Sequence, residues 1–386
     1  MPSDTPMPNL LAACTDLLAS RLRACHAGEE VVAAVDWPAG WTTPEQVINL
    51  ACHQAAVDLA ASSGSASLGE EHQTAAFMGH LATNLAWFSV AAIASEDTAD
   101  QSGLVPQVSW AYQSGPDEAV FGADFGLIRH LGGPADRIRL VLFQAKIPEM
   151  QARGWQVAID RSTTVTGGVT KKPDLLANRR SILQGLLEAT SRHPASHPDN
   201  PPIRGLEAQA AALRDVSHFQ LEALMLTNLE GCRAAGSNEQ PWCHYVLWFP
   251  GTAGQITLPT AMSVEEVSKL ILPHLSKRAH FPRVVAAAGS EDFAGLLSRA
   301  LTGGGEDGAG PGIVIGIGEL EPLVKKTCAL LPSLRLLLAS ETGDGMMTLR
   351  NALGKGWEHP PGGLQAVAEA DLPRFEPVPP APEPKF

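Results

Sequence analysis

The chain has 386 residues, of which 45% are apolar and 18% charged, so it can bury a sizeable core and is not a disordered chain. Its formal charge of −13 rules out a global basic field toward nucleic acid, and any such binding would need a local basic groove. The six cysteines (Cys14, Cys25, Cys52, Cys232, Cys243, Cys328) are scattered without a CxxC pair, which fits free thiols in a reducing cytosol rather than a disulfide framework. The polar, Pro-containing start lacks a basic segment followed by an apolar run, so no signal peptide is expected, and no apolar stretch is long enough to span a bilayer. A cytoplasmic protein is expected.

Residues 1–62 read as a helical N-terminal region. Leu10, Leu11, Cys14, Leu17, Leu18 and Leu22 recur at helical spacing, and a second helix is expected from Thr43 to Ala61 with Pro44 in its first turn. A Ser/Gly stretch follows. The next helix is expected from Glu70 to Ala94, with Thr74, Phe77, Met78, Leu81, Leu85 and Phe88 as its inward stripe. Strands are expected near 107–112, 121–129 and 137–146, the last two joined by the Gly/Pro turn of residues 130–136.

Residues 160–206 read as an insertion holding one helix, about 174–192, and a Pro/His-rich loop. A long helix is expected from Leu206 to Gly231 and a strand from Cys243 to Phe249. Helices at 264–276 and 292–302, a Gly-rich loop, a strand at 313–318 and a last helix–strand pair ending near Ser340 complete the pattern. The expected organisation is thus a helical region (1–62), an α/β domain (63–345) with the insertion at about 160–206, and a Pro-rich tail (346–386). The fold class is α/β: a mixed central sheet flanked by helices, with a helical N-terminal extension.

The chemistry concentrates on the hairpin. Alternate residues of a strand share a face, so Leu140, Leu142, Gln144 and Lys146 line one side of their strand and Val141, Phe143 and Ala145 the other. An apolar strand thereby ends in two polar side chains on one face. In the partner strand Asp124 stands between Ala123 and Phe125, where a carboxylate is costly to bury unless paired or metal-bound. Asp124 and the amide oxygen of Gln144 are hard ligands suited to Mg²⁺ or Mn²⁺, and Lys146 can orient or help deprotonate an attacking water.

Asp124 followed by Gln144-Ala145-Lys146 resembles the core motif of the PD-(D/E)xK nuclease superfamily, in particular its Gln-x-Lys branch of Mrr-like restriction enzymes and phage-defence nucleases. The resemblance covers about residues 68–250. It implies a restriction-endonuclease-like core and a divalent-metal-dependent nuclease, with Asp124, Gln144 and Lys146 in the site. It favours DNA over RNA as substrate, a place in anti-phage defence or restriction, and a homo-oligomer or a defence-system protein as further partner. In that family a Glu on the preceding helix often completes the metal site. Helical phase favours Glu70 over Glu71, because Glu70 continues the stripe of Thr74 and Phe77. Many members also carry a Gln on the helix after the motif strand. Gln220, on one face with Leu213, Val216 and Leu224, matches it. The sequence departs from the pattern in having Ala123 before Asp124 and Gln144 for the commoner acid, which removes one negative charge at the metal.

Plainer readings stand beside these. Asp124 can be a turn-proximal Asp, Gln144 and Lys146 a polar sheet edge, and Glu70 a helix N-terminal acid favoured by the dipole. A non-catalytic binding or scaffold protein with a degenerate nuclease fold is the alternative, and a hydrolase of small phosphoesters a third. Cys232, Cys243 and His244 lack zinc-ligand spacing, and the Gly303–Gly312 run lacks the Gly-Lys-Ser/Thr of a phosphate loop. Lys171-Lys172, Arg179-Arg180 and Lys277-Arg278 are candidates to line a groove, or solvated faces.

Overall fold

The structure, a computed structural model, describes residues 44–63, 69–95, 107–113, 124–133, 136–152, 154–159, 173–191, 205, 208–209, 220–236, 241–250, 257–275, 283–285, 290–302, 310–330, 334–354 and 356–358. In chain order the elements begin with α1 (Pro44–Ser63), α2 (Glu70–Ser95), β1 (Gln107–Gln113), β2 (Asp124–Gly132) and β3 (Arg137–Lys146). Next come β4 (Glu149–Gln151), β5 (Gly154–Ala158), α3 (Pro173–Ser191), α4 (Gln220–Ala235), β6 (Cys243–Leu247) and β7 (Thr260–Ser263). The chain continues through α5 (Val264–Ile271), β8 (Arg283–Val285), β9 (Glu291–Asp292), α6 (Phe293–Thr302) and β10 (Ile313–Gly316). It closes with α7 (Leu320–Leu330), β11 (Arg335–Ser340), α8 (Gly343–Leu353) and β12 (Trp357–Glu358).

The main sheet runs β12-β1-β11-β2-β3-β6-β7-β9, and it mixes parallel pairs (β2–β11, β3–β6) with antiparallel ones. It is a mixed α/β sheet flanked by helices, with helices at its N-terminal end as well. Alternation along β3 divides the core. Leu140 and Leu142 pack with Ile182 and Leu186 of α3, Leu224 of α4, Val267 of α5, Leu323 of α7 and Leu349 of α8. Val141, Phe143 and Ala145 face the other layer, built from α1, α2 and α6. Helix α1 is apolar nearly all round because it is enclosed: Val47, Leu50, Ala51, Cys52, Ala55 and Leu59 are all buried.

Two strands share one edge of β3. β6 runs parallel to residues 142–146, and β10 runs antiparallel to residues 137–140. They start back to back, where Leu142 N–H donates to Trp242 O (2.6 Å) and Gly312 N–H to Pro241 O (3.2 Å). Gly312 is needed there. Its φ is +96°, and a Cβ would collide with the carbonyl of Leu140.

In the second layer Phe293 centres an aromatic cluster, with ring centroids 5.1 Å from Phe77 and 5.3 Å from both Phe143 and Trp248. Asp292 caps the helix behind it, accepting from Gly295 N–H (2.7 Å) and standing 3.1 Å from His53 Nε2 of α1. Burial opposes ionisation of Asp292, but His53 and the amides of Gly295 and Ala294 outweigh it and hold the carboxyl below its usual range.

Several expectations shift. The helix expected to stop at Gly231 runs on to Ala235. Gly231 is not its end but the place where the Trp242 indole lies on the helix, leaving no room for a Cβ. The helix expected over 264–276 is α-helical only to Ile271 and then tightens into a 3₁₀ turn, Leu272–His274, because Pro273 supplies no N–H. Its start is set by a capping box between Ser263 and Glu266. The tail is expected from residue 346, yet α8 crosses that point, buries Met346, Leu349 and Leu353, and is followed by β12 paired to β1. The helix expected near residues 10–22 and the Pro-rich stretch 377–384 lie outside the described residues. No described helix is long and apolar enough to cross a membrane.

Candidate functional site

The hairpin brings the two ends of its strands together. Asp124, the first residue of β2, is the Cα partner of Gln144 in the antiparallel register of β2 and β3. Directly opposed residues of an antiparallel pair point to the same face. The register places the Asp124 backbone, and its side chain lies outside the described residues.

Gln144 is 1% exposed, and neither its amide oxygen nor its amide nitrogen has a hydrogen-bond partner among the described residues. Leaving a buried amide unsatisfied costs about 1–3 kcal/mol, so such a group is expected to serve a water, an ion or a ligand. Two residues on, Lys146 is 3% exposed, unusual for a lysine. Its Nζ donates to Gln220 Oε1 at 2.6 Å and stands 3.8 Å from Glu70 Oε2.

Each partner comes from a different element. Glu70 is the first residue of α2, in the layer behind Phe143, and Gln220 opens α4 as described, in the layer in front of Leu142. The two layers therefore meet at the end of β3. Glu70, Lys146 and Gln220 are in one place, with Gln144 beside them on the strand and Asp124 across the hairpin. Gln220 is half-buried, and Leu224, one turn along its helix, is buried; Leu213 and Val216 lie outside the described residues.

Two residues that the sequence reading assigned no role support this arrangement. Trp248, just past β6, donates its backbone N–H to Lys146 O at 2.8 Å and its indole N–H to Thr74 Oγ1 at 3.0 Å. Thr74 lies one turn after Glu70, a spacing visible in the sequence, but its acceptor role depends on a residue 174 positions away. Glu222, two residues after Gln220, pairs with Arg179 of α3 through Nε–Oε1 (2.5 Å) and Nη2–Oε2 (3.0 Å), with both side chains fully enclosed. Arg179 is thus a core residue rather than a groove liner, while Arg180 is exposed. Lys171, Lys172, Lys277, Arg278, His193 and His197 lie outside the described residues.

The described donors at this place are oxygens: the Glu70 carboxylate and the Gln144 amide, with the backbone of Asp124 in register with Gln144. That set suits a hard cation rather than a thiophilic one. Among the described residues no group of three or more His, Cys, Asp or Glu side chains is disposed to hold a metal ion. Cys232, Cys243 and His244 are all buried. Burial raises the Cys232 thiol to about 12 and lowers His244 to about 4. Comparison with family models, with curated proteins and with solved structures finds no match.

Proposed function

We propose that the chain is a divalent-metal-dependent nuclease that hydrolyses phosphodiester bonds, with DNA favoured over RNA. The observation that carries this reading is the buried amide of Gln144, without a hydrogen-bond partner among the described residues, on the strand two residues before the fixed ammonium of Lys146 and in register with Asp124. The resemblance of Asp124, Gln144-Ala145-Lys146 and Glu70 to the PD-(D/E)xK nucleases supports it. By the same resemblance we propose restriction or anti-phage defence as its setting.

Asp124, Gln144 and Glu70 would hold Mg²⁺ or Mn²⁺. When bound there, the cation supplies Lewis acidity to a phosphate oxygen and lowers the pKa of a coordinated water. Lys146, held by Gln220, presents N–H donors that orient the attacking water and offset phosphate charge. Burial of Lys146 and Gln144 limits competing solvent around these groups. Water oxygen forms the new bond to phosphorus and releases a proton to solvent, the bond to the leaving sugar oxygen breaks, and that oxygen takes up a proton from solvent.

A second reading has its own observation. Gln144 stands where an acid is commoner, and no His/Cys/Asp/Glu triad is found among the described residues. Both fit a binding protein that keeps the arrangement without cleaving. Incubating purified protein and plasmid DNA with Mg²⁺ or Mn²⁺ decides between them. Nicking or degradation abolished by Asp124→Ala and by Lys146→Ala is expected. Undiminished cleavage by either variant refutes the nuclease assignment, and Asp124-dependent metal binding without cleavage favours the second reading.

A further inference from the structure

Glu70 and Lys146 approach to 3.8 Å although they belong to different elements in different layers. Apolar packing positions a helix on a sheet by interdigitation, but burial and dispersion themselves are non-directional. A slide of one residue moves a helical side chain by about 1.5 Å, enough to take a carboxylate out of reach of a cation held at about 2.0–2.6 Å. A directional bond between α2 and β3 fixes that position more sharply than packing alone.

Trp248 supplies it. Its backbone N–H donates to the carbonyl of Lys146 itself (2.8 Å), and its indole N–H donates to Thr74 Oγ1 (3.0 Å), one turn beyond Glu70. The indole is fully buried, and its ring is clamped by Phe77 of the same helix (centroids 5.4 Å apart) and by Phe293 (5.3 Å). One residue therefore joins the strand of Lys146 to the helix of Glu70. Both links are hydrogen bonds with a defined geometry.

We infer that Trp248 and Thr74 are positioning residues of the site: through their shared hydrogen bond they set the axial position of α2 and so bring the Glu70 carboxylate within reach of the cation and of Lys146. This rests on the metal-site reading above. Neither residue is assigned any contact with substrate or metal. They act through Glu70. Groups bonded directly to a metal ligand alter affinity by about 10–100-fold when removed, and Thr74 and Trp248, one step further out, belong at the low end of that range.

The test measures Mn²⁺ affinity of the full-length protein by titration calorimetry, alongside folding by circular dichroism. Thr74→Val keeps the shape and removes the acceptor, Thr74→Ser keeps the acceptor, and Trp248→Phe removes the indole donor. Thr74→Val and Trp248→Phe are expected to weaken Mn²⁺ by about tenfold or more, and Thr74→Ser to stay within about twofold. In a Glu70→Ala background Thr74→Val is expected to cost nothing further, because its effect runs through that carboxylate. A folded Thr74→Val protein with unchanged Mn²⁺ affinity overturns the inference, as does an equal further loss on the Glu70→Ala background. Should Trp248→Phe fail to fold, the Thr74 pair still decides. Mn²⁺ binding indifferent to Asp124→Ala is a different failure: it removes the metal site itself, and the positioning role with it.

Discussion

The ammonium of Lys146 donates to the amide oxygen of Gln220 across 2.6 Å, joining the last residue of a core strand to a helix of the covering layer. A lysine this deeply enclosed needs an acceptor, and the Glu70 carboxylate at 3.8 Å is too far for a direct hydrogen bond. Gln220→Leu is therefore expected to destabilise the fold by about 1–3 kcal/mol, whereas Gln220→Glu keeps an acceptor and loses less. Urea denaturation of the two variants checks the order. Equal losses would mean that Gln220 contributes only its bulk. If the site cleaves nucleic acid, Gln220→Leu is also expected to lower the rate more than it weakens metal binding, because the amide touches the lysine.

The buried pair of Arg179 and Glu222 fixes the α4 turn that carries Gln220. Removing one member leaves a desolvated charge, with an expected loss of about 3–5 kcal/mol for Arg179→Met or Glu222→Met alone. Removing both charges together, Arg179→Met with Glu222→Met, is expected to restore most of that stability, since an apolar pair carries no desolvation penalty. A double-mutant cycle by chemical denaturation measures the coupling. A double variant as unstable as the sum of the singles contradicts this account.

Where β6 and β10 start back to back on β3, Gly312 has both a left-handed φ and a carbonyl in the way of any side chain. Gly312→Ala is expected to cost about 2–5 kcal/mol, the sum of backbone strain and overpacking. Gly316, at the far end of β10, has open space around its Cα, so Gly316→Ala is the matched control, with an expected change within about 0.5 kcal/mol. Thermal denaturation of the two variants gives the comparison.

How much of this was legible beforehand depended on how local the cause was. β3 spans the expected residues because its alternation is written in Leu140 to Lys146 itself, and the pairing of Asp124 with Gln144 follows from the turn between their strands. Glu70 was identifiable from helical phase, since α2 is one uninterrupted helix. The short strands β4, β5 and β8 carry no such pattern, because three to five residues are too few to display an alternation. Gly231 was misread as a helix end because its cause, the Trp242 indole, arrives from beyond the helix. Helix α8 was missed behind Gly343-Asp344-Gly345, although the Thr342 cap and the spacing of Met346, Leu349 and Leu353 are helical signals. Trp248 reads as one more aromatic of a buried strand. Only the tertiary fold reveals that its two N–H groups reach Lys146 and Thr74.

His244 yields a prediction independent of any activity. It lies on β6 as the Cα partner of Phe143, ring against ring at 5.8 Å. Burial is the main reason its pKa falls to about 4 from 6.5, and the positive charge of Arg299 adds to the effect, while a backbone hydrogen bond at Trp242 opposes it. The folded state thus holds His244 neutral where the unfolded chain takes up a proton. Between pH 6.5 and 4 the unfolded state binds more protons, so stability falls as the pH falls. Across the whole window the loss attributable to this residue is up to about 3 kcal/mol. The slope due to His244 fades through pH 6.5 and is gone about one pH unit above it. His244→Phe keeps an aromatic ring beside Phe143 and removes the titration. Because carboxylates also titrate at low pH, the informative quantity is the difference in unfolding free energy between variant and wild type at pH 7.5 and at pH 4.5. That difference is expected to shift in favour of His244→Phe as the pH falls. A difference that stays constant across the window would show that His244 titrates alike in the folded and unfolded chains.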